Sequence, residues 1–166
     1  LTTEFINMFM ASDKEKSPSL ACASWIATEN LDITNAANYL SPEYVIPEYV
    51  SGKTLAFLQY TSGSTASPKG VMLTHKNILH NLEQNKQYCQ FDSESSAFIW
   101  LPQYHDMGLT GGVLQAMYNN YTLGFMSPMD FLQDPYRWLK AMSDYKATMS
   151  GGPNFAYDLC VSRITE

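Results

Sequence analysis

The chain is short of charge. Charged residues make up 16% of its 166 positions, against the ~25% usual for soluble domains. Hydrophobic residues make up 45% and aromatics 13%. Little charge with many aromatics suits a chain much of whose surface is covered, by a partner or by the rest of a larger protein. Positive charge is scarcer still: 10 lysines and arginines stand against 16 acids, a net charge of −6. An acidic domain repels phosphate backbones, which excludes general nucleic-acid binding. Backbone amides can nevertheless bind a local anion. Cys22, Cys89 and Cys160 are odd in number, far apart and form no CxxC. They indicate neither a disulfide framework nor a zinc site, and a reduced, cytoplasmic setting is expected. In that setting the glycosylation triplet Asn120-Tyr121-Thr122 is read as a turn. No apolar run approaches the ~18–20 residues of a membrane span, and no basic stretch leading into an apolar one marks a signal peptide. The chain opens on Leu1 rather than Met, so the native start is expected upstream.

The length is enough for one sizeable core, and there is no internal repeat. Phe5, Ile6, Met8 and Phe9 recur at near-helical spacing, predicting a helix over 3–11. A polar loop is expected over 12–19, a buried strand over 20–27, and a connector carrying Pro42 and Pro47 over 31–48. Beyond it the pattern becomes regular. Strands are expected over 54–60, 97–101, 121–126 and 147–150, with a short extended stretch at 71–73. Helices are expected over 75–88, 107–118, 134–145 and 154–164. Ile78, Leu79 and Leu82 share one face of the first, with Thr74 as N-cap. Asp106 is read as the cap of the second, and Trp138, Leu139 and Met142 as the inward face of the third. Strands alternating with helices imply an α/β fold built of βαβ units with a mostly parallel sheet. In such sheets ligands bind beyond the carboxyl ends of strands. Polar, unusual segments follow Tyr60, Leu101 and Ser150, and their expected meeting on one edge argues for a single site.

The first segment reads YTSGSTASPKGV, residues 60–71. Its hydroxyl residues Thr61, Ser62, Ser64, Thr65 and Ser67 surround Gly63, which allows positive φ so that amides can fold around an anion. Lys69 adds charge and Gly70 lets the chain turn back. These are the parts of a polyphosphate cradle, but the spacing matches neither GxxxxGK[ST] nor GxGxxG. A flexible Gly/Ser linker is the alternative. The second segment, LPQYHDMGL, ends a strand at Pro102 and opens a helix, whose free amides favour a nearby anion. His105 there is either a group that bonds a carboxylate or a structural histidine. Gly108, Gly111 and Gly112 leave the following helix a bare face, for a ligand chain or for close packing on the sheet. The third, SGGPNFAY, lets backbone pass close to something at Gly151 and Gly152, or is simply a tight strand-to-helix turn with Pro153 in the first helical turn. His75 and His80 lie five apart and form no HExxH site.

YTSGSTASPKGV resembles the signature loop of the adenylate-forming superfamily, usually YTSGSTGxPKGV. The resemblance implies that Thr61, Ser62, Gly63, Ser64, Thr65, Lys69 and Gly70 bind the ATP phosphates. Ala66 departs from the pattern at the usual third glycine, and alanine is strained there if positive φ is needed. PxYHDMGL resembles the fatty acyl-AMP ligases rather than the acyl-CoA synthetases, which more often read PLFH. The run from Met126 to Cys160 is similar to the same ligases. The likeness implies a role for His105 beside the acyl carboxylate. It implies an acyl pocket formed by Tyr104, Asp106, Met107, Gly108, Gly112, Gly151, Gly152, Pro153, Asn154 and Phe155. It further implies a piece of the large N-terminal domain. Residues 1–54 would be part of a first subdomain and a connector, 55–166 the phosphate-loop and acyl-pocket region, and the C-terminal domain absent. The expected activity of the whole enzyme is activation of a fatty acid with ATP and Mg²⁺ to acyl-adenylate and pyrophosphate, then acyl transfer to an acyl carrier protein. The isolated piece is expected to be inactive. The alternatives are an acyl-CoA synthetase and a non-catalytic nucleotide- or lipid-binding module.

Overall fold

The structure, a computed structural model, describes residues 3–12, 15–31, 48–61 and 68–164. It divides into two units, residues 1–46 and 47–166.

In the first unit the expected amino-terminal helix is present as α1 (Thr3–Ser12). The Phe9 ring lies 5.1 Å from that of Trp25, and the Thr3 N–H donates to Glu29 Oε1 at 2.6 Å. The strand expected over 20–27 is not formed. Pro18–Ala21 instead makes a single helical turn, α2, and residues 24–27 have no regular structure. Pro18 explains the turn, because its fixed φ is pre-set for a first helical position. The connector expected over 31–48 falls almost wholly outside the described residues.

The second unit carries the rest of the pattern. Strand β1 (Leu55–Thr61) pairs with β2 (Lys69–Thr74) in an antiparallel ladder. Lys69 and Gly70 therefore begin a strand rather than ending a loop. The Tyr60 ring covers Gly70, where an added Cβ would sit 3.1 Å from Tyr60 Cζ. Residues 62–67, with the expected strain at Ala66, lie outside the described residues.

Helix α3 (His75–Cys89) follows directly and is capped as expected. Thr74 Oγ1 accepts from the Asn77 N–H, and Asn77 Oδ1 accepts from the Thr74 N–H. This reciprocal pairing satisfies two orphan donors. Thr74→Ala should cost about 1 kcal/mol, read as a lower denaturation midpoint; an unchanged midpoint would show that the cap contributes nothing. Leu82 on this helix is buried, whereas Leu79 is half exposed.

Strand β3 (Ser96–Ile99) is the centre of the unit. It pairs in parallel with β4 (Thr122–Phe125) and on its other edge bridges through Ala97 to Met149, again in parallel. Of the strand expected over 147–150, this bridge is all that forms. The mostly parallel sheet is thus only partly present: the described strands form two two-stranded ladders, one antiparallel and one parallel, among more extensive helices.

Both faces of β3 are covered, as successive side chains point to opposite sides. Phe98 and Trp100 enter a core with Phe131, Trp138, Ala156 and Cys160. Ala97 packs with Phe91, Ala116 and Tyr121. The first core is closed by α6 (Pro128–Gln133), α7 (Tyr136–Asp144) and α8 (Asn154–Arg163). The helix expected over 134–145 forms as α7, set off from α6 by an interruption at Asp134 and Pro135, where the Asp134 carboxylate accepts from the Tyr136 N–H. Trp138 faces inward with 1% exposure, but Leu139 at 37% does not. The helix at 107–118 is also interrupted. It runs as α4 (Asp106–Gly108), a π-helical segment at Leu109–Leu114, and α5 (Gln115–Asn119). Asn120 ends it in left-handed conformation, so the glycosylation triplet does sit at a turn.

Candidate active site

The cap of the 106–119 helix is His105, not Asp106. His105 is extended (φ −113°, ψ 149°) and Asp106 is the first helical residue. Asp106 Oδ1 accepts from the Met107 N–H at 2.7 Å and lies 2.6 Å from His105 Nδ1. The side chains are 61% and 55% exposed, so the pair stands open to a ligand. The turn before it is closed by the His105 N–H donating to the Pro102 carbonyl at 3.1 Å.

The glycines after it divide by what surrounds them. A Cβ at Gly108 would sit 2.1 Å from the Pro102 carbonyl oxygen, and one at Gly112 would sit 2.4 Å from Ile99 Cδ1. These two let the helix close onto β3 and its exit. Among the described residues a Cβ at Gly111 would meet nothing within 4 Å, and the same holds at Gly151. Gly111 faces open space.

That space is organised as two clefts. The larger, of about 570 Å³, runs between the β1–β2 ladder, α3 and the start of the 106–119 helix; Thr61, Asn77, Asn81, Asp106, Met107 and Gly111 are among its walls. The smaller, of about 200 Å³, is lined by Ile99, Leu101, Met107, Gly111, Gly112, Met149, Gly151 and Gly152. They share Met107 and Gly111. All three segments singled out in the sequence therefore contribute to adjoining clefts. Gly152 closes the floor of the smaller one. Its Cβ position lies 3.3 Å from Trp100 Nε1, a buried indole N–H without a hydrogen-bond partner among the described residues. Ser150 is fixed behind this floor, accepting from Trp138 Nε1 at 2.9 Å and donating to the Phe98 carbonyl.

A third, apolar cleft of about 490 Å³ lies on the other side of α3, with Phe57, Leu79, Leu114 and Met117 among its walls. Near it Gln87 and Tyr118 both donate to Glu83 and hold that carboxyl below its usual range.

Not every expected residue joins the two shared clefts. Tyr104 is 88% exposed and lines a separate cleft with Phe125 and Ser127. Gly108, buried against Pro102, lines neither, and nor do Pro153, at the N-cap of α8 rather than in its first turn, Asn154 and Phe155. The Phe155 ring instead packs edge-on at 5.9 Å from Trp100. Lys69 is exposed, in register with Thr61, so the two ends of the loop face each other. Ser62, Gly63, Ser64 and Thr65 lie outside the described residues. Asn77, Asn81, Thr110 and Met149 are walls that sequence patterns did not single out. The i, i+4 spacing of Asn77 and Asn81 on one helical face was their only signal.

The family model for AMP-binding enzymes matches residues 6–165. The chain belongs to the AMP-binding enzyme family. Among AMP-binding enzymes it is 40% identical over 154 residues to the medium-chain-fatty-acid acyl-carrier-protein ligase JamA of Moorena producens (strain JHB), covering 93% of this chain and 25% of that protein. It is 40% identical over 144 residues to the 4-hydroxyphenylalkanoate adenylyltransferase of Mycobacterium tuberculosis, covering 85% of this chain and 22% of that protein. A fatty acyl-adenylate ligase from L. pneumophila, solved in complex with acyl adenylate and pyrophosphate, superposes with a TM-score of 0.73 at 45% identity; the match covers 85% of this chain and 24% of that one. The chain thus spans about a quarter of the length of these AMP-binding relatives. No helix among the described residues is long and apolar enough to cross a membrane.

Proposed function

We propose that the whole protein activates a fatty acid with ATP, as a fatty acyl-AMP ligase of which this chain is a piece of the large N-terminal domain. A carboxylate oxygen of the acid attacks the α-phosphorus of ATP. The bond from that phosphorus to the β-phosphate bridging oxygen breaks, giving acyl-AMP and pyrophosphate. The thiol of an acyl carrier protein then attacks the acyl carbonyl, forming a thioester and releasing AMP. The observation that carries this reading is the pair of adjoining clefts. One begins at Thr61, at the mouth of the signature loop, and the other ends at Gly151 and Gly152. A phosphate end and an acyl end meet across Met107 and Gly111, beside the exposed His105–Asp106 pair.

In this reading the loop from Thr61 to Thr65, with Lys69 and Gly70, holds the β- and γ-phosphates, and Lys69 offsets their charge. His105 orients the carboxylate. Asp106, Met107, Gly112, Gly151 and Gly152 line the acyl path, Gly108 lets the helix close on Pro102 behind it, and Phe155 packs on Trp100 beneath Gly152. Catalysis rests on positioning two reactants in line. Among the described residues no three His, Cys, Asp or Glu side chains group as a site for the magnesium that the family resemblance implies. The JamA enzyme is named for a carrier-protein acceptor, and the L. pneumophila ligase was captured with acyl adenylate; both support the same course for this protein.

The test is a product assay on the whole protein with ATP, Mg²⁺ and a medium- or long-chain fatty acid, with and without coenzyme A. Acyl-AMP that persists in the presence of coenzyme A is the expected result. Acyl-CoA would make the protein an acyl-CoA synthetase, and no product with any acid would leave a binding module.

A further inference from the structure

We propose that Gly111 is the residue that sets how long an acyl chain the site accepts, an inference that rests on the fatty-acid reading above. Glycine inside a helix costs about 1 kcal/mol relative to alanine, so a helical glycine calls for a reason. Gly108 and Gly112 have one, because a side chain at either would strike Pro102 or Ile99. Gly111 has no such reason. Among the described residues nothing lies within 4 Å of its Cβ position, and its φ is not in the left-handed region that favours glycine. What distinguishes it is location. With Met107 it is common to both clefts, and it lies one helical turn on from that residue, so the two flank the junction.

The π-helical turn at Leu109–Leu114 explains how this glycine comes to lie there. Its wider winding breaks the ordinary helical register, and such turns recur at functional sites. Here Gly112 packs on Ile99 while its neighbour Gly111 opens to the clefts. The larger cleft adjoins the smaller one at Gly111 and Met107, so a carboxylate held beside His105 would send its tail past the bare backbone of Gly111. Met107, half exposed and unbranched, forms the adaptable opposite side. A side chain at 111 would narrow the junction without touching the fold, and would stop long tails while leaving short ones their place.

The experiment compares the whole wild-type protein with Gly111→Ala and Gly111→Val across straight-chain fatty acids from short to long, reading kcat/KM for pyrophosphate release. The expected result is a graded truncation of the profile. Gly111→Val should lose roughly tenfold or more on long acids, in line with what one misplaced methylene does in a fitted apolar pocket. Short acids should be nearly unaffected, and Gly111→Ala should fall between. Thermal midpoints should match wild type or rise slightly, since the alanine Cβ enters open space. An equal loss at every length, or an unchanged profile, would overturn the assignment of Gly111 alone. A wild-type protein that forms adenylate with none of the acids would overturn the fatty-acid reading and this inference together.

Discussion

Gly108→Ala should be the most damaging single methyl group that can be added to the site. The new Cβ would stand 2.1 Å from the Pro102 carbonyl oxygen, 2.6 Å from its carbon and 2.9 Å from the Leu101 oxygen. All three are backbone atoms, so no side chain can rotate away. The same Pro102 oxygen accepts the His105 N–H, so moving it opens the turn that presents His105 and Asp106. Overpacking ordinarily costs ~1–3 kcal/mol, and a clash against fixed backbone belongs at or above the top of that range. Soluble yield and thermal midpoint should fall sharply, and adenylate formation should fall with them for acids of every length. That uniform loss separates Gly108 from Gly111, three residues on, where alanine is expected to leave the fold intact. A Gly108→Ala protein melting within a degree or so of wild type would show that the strand exit is not rigid.

Trp138→Ala should be comparably costly, through the core rather than the backbone. The Trp138 ring is 1% exposed and packs edge-on against Phe131 at 5.5 Å and Trp100 at 6.3 Å. Truncating a buried aromatic to alanine costs about 3–5 kcal/mol. Here a polar loss is added, because Ser150 Oγ forfeits its indole donor. Ser150 immediately precedes Gly151 and Gly152, so the damage should reach the smaller cleft. Trp138→Phe keeps most of the ring and should recover much of the stability but not the bond to Ser150. Chemical denaturation midpoints of the two variants check this. A Trp138→Phe midpoint as low as that of Trp138→Ala would show that the hydrogen bond, not the packing, dominates.

Local signals were legible where one residue type does one job. Thr74 before an apolar helical stripe reads as an N-cap because few side chains can accept from Asn77, and α3 followed within a residue. The unbroken apolar run at 97–101 was equally clear, since a strand covered on both faces must be continuously apolar. Failures have physical causes. The stretch 20–27 is apolar enough for a strand, but Pro18 sets the backbone for a helical turn first. The antiparallel partnership of β1 and β2 could not be read, because strand direction depends on which partner supplies the hydrogen bonds. At 106–119 the 3.6-residue period predicted one helix, whereas the π-helical turn shifts the register inside it and decides which glycine faces the clefts. The three functional segments were recognisable by composition. Their convergence across Met107 and Gly111, and the withdrawal of Tyr104 and Phe155 to other surroundings, depend on tertiary packing and left no mark on local sequence.

The bare N–H of Trp100 under Gly152 gives the protein an optical property. Indole emission follows the polarity and mobility of the medium around the ring, and this ring touches the floor of the smaller cleft from beneath. Water in that cleft and an alkyl tail in its place are different media. The chain has three tryptophans, and Trp138 packs edge-on against Trp100 in the same core. The emission of Trp100 is therefore expected to change when the deep end of the clefts is filled, a signal that needs neither label nor turnover.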